Sequence, residues 1–453
     1  MAFSWFRKKK SAARANQDSA KAESGADKKS ENGSGAKNGN DPKQAAKNAA
    51  GAVGAALKPT GDQKLSVIKL VDTLIQQSYR LRASDIHLDP EENLLKVRLR
   101  IDGVMHDSFV LPKSIHQEVI TRIKVMASMR TDEHQTAQDG RIRVTIEEKN
   151  FDIRVSIAPT YYGENCVMRL LSGGDQAFAL KDLGFSDENL EKIERAITKP
   201  YGMILATGPT GSGKTTTLYT ILQKLNTKEV VIITVEDPIE YSIGGLEQIQ
   251  VNERTGLTFA KGLRFILRQD PDIIMVGEIR DDETAGIAVN AALTGHLMLS
   301  TLHTNDSTTA IPRLLDMGVE PFLITSTLNV AIGQRLVRQL CGSCKKKKKL
   351  TKAEIDNLKR FVSEKIIAAN EGADFYAAVG CNECSGGYKS RIGIHEVFEI
   401  DSGIRELIVQ KASGDKIREA AIKSGMITML EDGFKKAVAG VTTLEEVLRV
   451  FYE

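Results

Sequence analysis

The sequence predicts an α/β protein built around a parallel β-sheet, and three observations lead to this fold class. The apolar run Met203–Ala206 is followed by a glycine-rich loop and then by a segment with leucines at helical spacing. Two further apolar runs, Val230–Val235 and Ile273–Val276, have the composition of strands buried on both faces of a parallel sheet. Ahead of them lie shorter segments in which apolar and polar residues alternate, and these predict a smaller α+β domain.

The composition of the 453-residue chain is typical of a globular protein with several domains, with 41% hydrophobic and 27% charged residues. Residues 1–60 hold 12 Lys and Arg against 5 Asp and Glu, whereas the remainder holds 50 against 54. The predicted folded part therefore lacks the basic character of a nucleic-acid-binding body. No apolar run reaches the ~18 residues that a membrane span needs, and the first residues do not resemble a secretory signal.

Residues 1–61 are predicted to form a disordered basic tail, because they are rich in Ala, Gly, Lys, Asn and Ser. Within residues 1–10, three aromatic residues precede the basic run Arg7–Lys10. This pattern favours a contact with anionic lipid or with a membrane protein. A merely solubilising tail explains the same charges, and both interpretations stay open.

Residues 62–172 are predicted to form the small α+β domain, of a PAS-like kind. It begins with a helix and continues in alternating strands, with a second helix at about 114–129 and a hairpin turn at Asp102-Gly103. Arg98 and Arg100 lie on one face of the strand KVRLRI. They indicate either a charged solvent face or a pair that reaches a nucleotide at a domain or subunit boundary.

The segment that follows Ala206 fits the phosphate-loop pattern G-x-x-x-x-G-K-[ST], in the strand–loop–helix context that the pattern requires. The N–H groups of such a loop and of the helix N-terminus face a polyphosphate. Lys214 would reach the β- and γ-phosphates, and the hydroxyl of Thr215 would bind Mg²⁺. The predicted nucleotide-binding residues are Gly208, Pro209, Thr210, Gly211, Ser212, Gly213, Lys214, Thr215 and Thr216.

Acidic residues follow the next two predicted strands, at the carboxyl ends where open α/β sheets bind their ligands. Glu236, Asp237 and Glu240 come first, and they favour either a role in holding Mg²⁺ and water or a helix cap. Glu278 follows the strand 273–276 and is placed to act as a general base that polarises water toward the γ-phosphate.

His303 directly follows a further predicted strand, 297–302, which His296 precedes. A single histidine is often structural, but this position beside a nucleotide site equally favours a contact with phosphate.

Two C-x-x-C pairs, separated by 36 residues, lie in the last third of the chain. They are formed by Cys341, Cys344, Cys381 and Cys384. Four thiolates can surround one tetrahedral Zn²⁺, and a site with four cysteines leaves no open position, so the predicted zinc is structural. The alternative is a set of two redox-active pairs.

From about Leu65 to the end, the chain resembles the secretion ATPases of type II secretion and type IV pilus assembly. The resemblance is carried, in order, by GPTGSGKTTT, ITVEDPIEY, LRQDPDIIMVGEIRD, GHLMLSTLHTND and the two C-x-x-C pairs. The tetracysteine element resembles that of the assembly and export branch. The expected organisation is a tail (1–61), the N-terminal α+β domain (62–172), a RecA-like ATPase domain (173–340), a tetracysteine zinc element (341–390) and a helical C-terminal subdomain (391–453).

The resemblance also implies roles for individual residues. Lys214 would bind phosphate, Glu278 would be the catalytic base, and His303 would belong to a histidine box. The acidic box would consist of Glu236, Asp237 and Glu240, and charge across domains would be neutralised by Arg98 and Arg100. Gly277 stands where phosphate-loop ATPases usually carry an aspartate, so the support of Mg²⁺ is expected to fall to the acidic box.

The expected function is that of a homohexameric motor that hydrolyses ATP and powers assembly or export of pilin-like subunits, or type II secretion. The resemblance implies an inner-membrane platform protein as partner, the cytoplasmic side of that membrane as location, and ATP, Mg²⁺ and Zn²⁺ as cofactors. The alternative is a phosphate-loop ATPase that acts on nucleic acid, in DNA uptake, conjugation or as a helicase-like motor. The acidic body and the lack of an aromatic and basic strand platform disfavour that alternative.

Overall fold

The computed structural model describes residues 67–146, 149–170, 179–349, 367, 373–381 and 384–452. The predicted tail with its first ten residues lies outside these ranges, as do residues 171–178 and most of residues 350–372 in the predicted tetracysteine element. The boundaries of the five predicted segments therefore stay predictions.

The N-terminal sheet has six strands, and every neighbouring pair is antiparallel. Its order is β3-β2-β1-β6-β5-β4. The two helices of this region pack against each other and bury their apolar faces with the sheet. The elements are α1 (Val67–Arg80), β1 (Ala83–Pro90), β2 (Leu94–Ile101), β3 (Val104–Pro112), α2 (His116–Met126), β4 (Gln138–Ile146), β5 (Lys149–Thr160) and β6 (Gly163–Leu170).

The predicted hairpin turn joins β2 to β3. Asp102 and Gly103 have φ values of +50° and +84°, which is the pair of left-handed residues that a two-residue hairpin prefers. Val97 and Leu99 of β2 are fully buried, while Arg98 between them is half-buried. The alternation of apolar and basic residues in the sequence therefore predicts correctly which side chains of β2 face the core.

The second sheet has seven strands in the order β15-β12-β7-β11-β10-β8-β9. All neighbouring pairs are parallel except β12 and β15. The strands are β7 (Gly202–Thr207), β8 (Ile232–Glu236), β9 (Glu247–Gln250), β10 (Ile273–Val276), β11 (Leu297–Leu302), β12 (Leu328–Leu340) and β15 (Tyr388–Glu399). The predicted α/β class with a parallel sheet is confirmed.

Helices cover both faces of this sheet and create two separate apolar cores. Every residue of β7, β8, β10 and β11 is buried, as expected for parallel strands between two helical layers. The helices are α3 (Asp187–Ile197), α4 (Lys214–Leu225), α5 (Phe259–Ile266), α6 (Asp282–Leu293), α7 (Ala310–Asp316) and α8 (Pro321–Thr327). Ser186 caps the N-terminus of α3, since its side chain accepts a hydrogen bond from the Asn189 N–H.

The C-terminal region contains four helices between residues 402 and 452, whereas residues 391–399 of the predicted helical subdomain belong to strand β15. The helices are α9 (Ser402–Val409), α10 (Gly414–Lys423), α11 (Met429–Val438) and α12 (Leu444–Tyr452). Thr428 and Glu431 form a capping box at the start of α11. Strands β12 and β15 were not predicted from the sequence, and β15 lies across the expected border between the tetracysteine element and the helical subdomain.

Two short strands, β13 (Lys346–Lys348) and β14 (Phe375–Ala377), form a small antiparallel sheet beside the four cysteines. Within the ranges given above, no helix is long and apolar enough to cross a membrane.

Candidate active site and metal centre

Predicted site residues from four segments of the chain lie at one edge of the seven-stranded sheet, because its inner parallel strands end there. β7 ends at Thr207, directly before the phosphate loop, and its neighbour β11 ends directly before His303. β10 and β8 follow in the sheet and end before Glu278 and at Glu236. The topology thus brings four distant segments of the chain to one place.

The phosphate loop has the backbone conformation that its glycines predict. Gly208 has a φ of +140° and Gly213 a φ of +89°, which residues with a Cβ rarely adopt. A Cβ at Gly208 would also lie 2.4 Å from the carbonyl oxygen of Gln334. The loop therefore packs so closely on β12 that only glycine fits.

Lys214 opens α4 and is 8% exposed. Its Nζ donates hydrogen bonds to the carbonyl oxygens of Gly208 (2.8 Å) and Pro209 (3.1 Å). Burial lowers the pKa of Lys214, and the negative charge of Glu278 opposes this. The ammonium group is thus held by weak neutral acceptors in a site where an anion would stabilise it.

Other residues of the loop and of the first helical turn surround this lysine. Pro209 and Thr210 are exposed, while Thr215 and Thr216 are half-buried. Ser212 is buried, and its hydroxyl has no hydrogen-bond partner among the described residues. A buried polar atom without a partner is uncommon and points to a ligand or water at that position.

Gln334 of β12 holds the phosphate loop in place by hydrogen bonds, and it was not predicted from the sequence. Its Nε2 donates to the carbonyl of Ser212 (2.8 Å), and its Oε1 accepts from the hydroxyl of Thr217 (2.9 Å). Gln334 is 1% exposed. No local pattern marks it, because the residue lies more than a hundred positions after the loop.

Glu278 is buried between a cation and a histidine. Its Oε1 accepts a hydrogen bond from Arg280 (2.5 Å), which raises the pKa of that arginine. His303 Nε2 lies 3.0 Å from Glu278 Oε2, but not in hydrogen-bonding geometry, so Oε2 is unpaired among the described residues. The structure therefore brings together the two residues that the sequence placed after different strands, and one oxygen of the Glu278 carboxylate accepts no hydrogen bond from the described residues.

Glu236 lies deeper than the sequence suggested, at 2% exposure. It accepts hydrogen bonds from the hydroxyl groups of Tyr219 and Thr234 and from Gln248 Nε2. Burial raises the pKa of Glu236. Both oxygens are thus engaged by protein donors, and this side chain joins α4 to the segment after β8.

Asp237 and Glu240 stand nearer to solvent. Arg154, on β5 of the N-terminal sheet, donates to the carbonyl oxygen of Ile239 (2.5 Å) and lies 3.3 Å from Glu240 Oε2. Burial lowers the pKa of Arg154. An arginine of the N-terminal sheet therefore reaches the acidic segment, but it is not one of the two that the sequence singled out.

Arg98 and Arg100 make their described contacts within the N-terminal sheet. Arg98 Nε donates to Asp89 Oδ2 (2.6 Å), and Arg100 Nε lies 3.5 Å from Asp85 Oδ2. Arg100 also donates to the carbonyl of Gly103 (3.1 Å). Their expected role at a nucleotide stays a prediction.

The four predicted metal ligands form one cluster. The Sγ atoms of Cys341, Cys344, Cys381 and Cys384 all lie within 4.8 Å of one another. Three of the separations are 3.8, 3.6 and 3.7 Å. Four thiolates at about 2.3 Å from a tetrahedral Zn²⁺ would be about 3.8 Å apart, whereas a disulfide would bring two sulfurs to about 2.05 Å. The geometry therefore fits a single metal ion better than two disulfides.

The cluster is tied to both long strands and to the C-terminal helices. Cys341 directly follows β12, and its N–H donates to the carbonyl of Gly387 (2.9 Å). Lys345 donates to the carbonyl of Gly440 (2.7 Å), between α11 and α12. The fifth cysteine, Cys166, is fully buried in the N-terminal sheet, and burial raises the pKa of its thiol.

Comparisons with known proteins agree with this fold and site. The family model described as "Type II/IV secretion system protein" matches residues 60–449. The type IV pilus assembly ATPase PilB of Myxococcus xanthus is 46% identical over 84% of this chain and 67% of its own length. The type II secretion system ATPase E of Vibrio cholerae is 46% identical over 85% of this chain and 76% of its own length.

A crystal structure of the pilus retraction motor PilT with bound ADP has a similar fold, with a TM-score of 0.59 and 26% identity. The similarity covers 85% of this chain and 97% of that structure. These comparisons confirm the ATPase assignment and give no support to a motor that acts on nucleic acid. The chain belongs to the type II/IV secretion system protein family, as its motifs predicted.

Proposed function

We propose that this chain is an ATP-hydrolysing motor that powers assembly or export of pilin-like subunits, or type II secretion. The observation that carries the proposal is the buried Oε2 of Glu278, which has no hydrogen-bond partner among the described residues and lies at the sheet edge that also holds the phosphate loop. The Myxococcus relative is a pilus assembly ATPase and the Vibrio relative is a type II secretion ATPase. We therefore propose that ATP hydrolysis by this chain drives one of these two processes.

Hydrolysis requires a water molecule held in line with the γ-phosphate. Because Arg280 occupies Oε1 of Glu278, Oε2 is the atom that would accept a hydrogen bond from this water. His303, 3.0 Å from Oε2, would fix the carboxylate or contact the phosphate. Glu278 is thus proposed as the general base and His303 as its neighbour.

Nucleotide binding would change the partners of Lys214. Its ammonium group would leave the carbonyl oxygens of Gly208 and Pro209 for phosphate oxygens, which carry full charge and make stronger hydrogen bonds. The loop N–H groups would take the remaining phosphate oxygens. The same exchange would let the loop open around the ligand.

Mg²⁺ would neutralise phosphate charge, and Thr215 with Asp237 and Glu240 are the proposed residues that hold it and its waters. Glu236 differs from these acids, since hydrogen bonds already occupy both of its oxygens. We propose that Glu236 instead has a structural role, in which it holds the segment with Asp237 and Glu240 close to α4.

The chain is proposed to act as a ring-shaped homohexamer on the cytoplasmic side of the inner membrane, bound to a platform protein. In such a ring, Arg98 and Arg100 would leave their aspartate partners and approach a nucleotide across a domain boundary. Residues 1–10 are proposed to add a contact with anionic lipid.

The catalytic assignment is tested with three single variants. Lys214→Ala should lose nucleotide binding and turnover, while Glu278→Gln should retain binding and lose about 100-fold or more in kcat, as expected for a general base. Lys224→Ala is the matched control, because Lys224 lies on the same helix and pairs with Glu194 on the surface. Normal turnover in Lys214→Ala or Glu278→Gln would contradict the proposal.

The membrane contact is tested with vesicles that contain anionic lipid. Replacement of all four basic residues Arg7–Lys10 by Glu in the full chain should abolish co-sedimentation with these vesicles at physiological salt. Equal sedimentation of both proteins would refute the lipid contact without touching the ATPase proposal.

A further inference from the structure

Glu396 is a completely buried carboxylate that the proposed reaction does not use. It lies on the edge strand β15 and is 0% exposed. Burying a carboxylate costs free energy of folding unless several hydrogen-bond donors contact it. The partners of Glu396 therefore indicate what it is for.

These partners come from two different parts of the chain. Glu396 Oε1 accepts hydrogen bonds from both the backbone N–H and the hydroxyl of Ser307, each at 2.8 Å. Its Oε2 accepts from the N–H of Met429 (3.3 Å), and Arg418 lies 3.7 Å away. One carboxylate thus joins the loop after β11 to the C-terminal helices α10 and α11.

The contact with Ser307 depends on a glycine in the intervening strand. Gly333 of β12 is directly opposite Glu396 in the antiparallel pair. A Cβ at Gly333 would lie 2.8 Å from Glu396 Cγ and 2.9 Å from the Ser307 nitrogen. Because Gly333 has no side chain, the side chain of Glu396 can pass over β12 and reach Ser307.

The loop that Glu396 holds begins at His303. Asp306 stiffens the loop, because its Oδ1 accepts from the Thr308 hydroxyl (2.8 Å) and from the Thr309 N–H (2.9 Å). Ser307 is fully buried. With its far end fixed in this way, the loop presents His303 to Glu278.

We infer that Glu396 is a positioning residue for hydrolysis, which acts through Ser307 to hold His303 beside Glu278. The inference rests on the proposed role of Glu278 as the base. It also makes α10 and α11 part of the support of the catalytic edge, since Arg418 and Met429 share the same carboxylate.

Glu396→Gln tests this directly. An amide offers one acceptor and one donor, so its NH₂ group must face either the donors of Ser307 or the Met429 N–H and Arg418. We expect kcat to fall about tenfold or more, as misplacement of a catalytic group does, while the KM for ATP stays within about twofold. Glu399→Gln is the matched control on the same strand, because Glu399 pairs with Arg195 at the surface.

Ser307→Ala is the milder variant, which removes the hydroxyl donor and keeps the backbone one. We expect a fall in kcat of about threefold, again without a change in KM. In the double variant the two losses should overlap rather than multiply, because coupled residues are not additive. If Glu396→Gln does not fold, the kcat of Ser307→Ala decides.

Three results would overturn the inference: a normal kcat in Glu396→Gln or Ser307→Ala, a parallel loss of ATP affinity, or multiplicative losses in the double variant. Glu278→Gln is measured alongside. If it is inactive and Glu396→Gln is normal, only the positioning role fails, whereas an active Glu278→Gln removes both the proposed base and this inference.

Discussion

Replacing Gln334 by alanine should weaken nucleotide binding, although Gln334 lies on a strand outside the phosphate-loop motif. Its amide makes two buried hydrogen bonds, to the Ser212 carbonyl at 2.8 Å and from the Thr217 hydroxyl at 2.9 Å. One partner belongs to the loop and the other to the first turns of α4. The side chain of Gln334 therefore sets the position of the loop relative to the helix whose N-terminus would face the phosphates of a bound nucleotide.

The size of the effect follows from the groups left behind. Alanine leaves the Ser212 carbonyl unpaired in a buried position, and such an orphaned group costs about 1–3 kcal/mol. The Thr217 hydroxyl can rotate to another acceptor, so it adds less. If about 2 kcal/mol of this cost falls on the binding-competent loop, the Kd for Mg·ADP should rise about 30-fold.

The assay is a titration of the purified protein with a fluorescent ADP analogue in the presence of Mg²⁺. Gln339→Ala is the matched control, since Gln339 lies five residues further along the same strand. Thermal unfolding without nucleotide separates a general loss of stability from a loss of binding. A Kd for Gln334→Ala within about threefold of the wild-type value, in a folded protein, would refute this account.

Two further predictions concern the C-terminal region. Burial alone would raise the pKa of Glu446, but hydrogen bonds from Arg449 and Arg338 lower it from 4.5 to about 2. Replacing this carboxylate in Glu446→Gln should therefore destabilise α12 by about 3 kcal/mol at pH 7. Because the folded pKa is the lower one, this difference should shrink as the pH falls from 4.5 toward 2, which hydrogen exchange of α12 measures. Elemental analysis should find one Zn²⁺ per chain, lost in Cys344→Ser and kept in the buried-cysteine control Cys166→Ser; zinc-free wild-type protein would contradict this.

The sequence predicts the parts of the site that are encoded locally. The phosphate loop needs its glycines, lysine and threonine within eight residues, and Glu236 and Glu278 each lie within two residues of the end of a short apolar run typical of a buried strand. The rule that ligands bind at the carboxyl ends of parallel strands then brings Glu278 and His303 together. No contact between distant residues has to be known for this step.

Arg154 shows where such reasoning stops. β2 and β5 both carry arginines that alternate with apolar residues, so the pattern alone cannot say which strand approaches the acidic segment. The sheet order β3-β2-β1-β6-β5-β4 places β5 next to one edge and β2 next to the other. That order results from pairings between strands that are distant in the sequence. As a consequence Arg154 of β5, and not an arginine of β2, contacts Glu240.

Gln334 and Glu396 were missed for a related reason, because their roles depend on the register of β12. Gly333 and Gln334 are consecutive on this strand, the first below the side chain of Glu396 and the second against the phosphate loop. A slip of one residue between β12 and β15 would turn Glu396 to the other face of the sheet. It would also place Glu396 opposite Ile332 or Gln334, and neither leaves a passage to Ser307.

The tetracysteine cluster lies in the long connection between β12 and β15, whose length makes the register of these two strands costly to maintain. β12 and β15 are antiparallel neighbours, but the connection between them is 47 residues long, and closing a loop of that length costs roughly 3 kcal/mol of chain entropy. Cys341 directly follows β12, and Cys384 stands four residues before β15. A metal ion held by the four thiolates would close the connection at its base and fix the strands as a tight hairpin does. A metal centre without an open position would then support hydrolysis indirectly, by keeping Glu396 opposite Gly333.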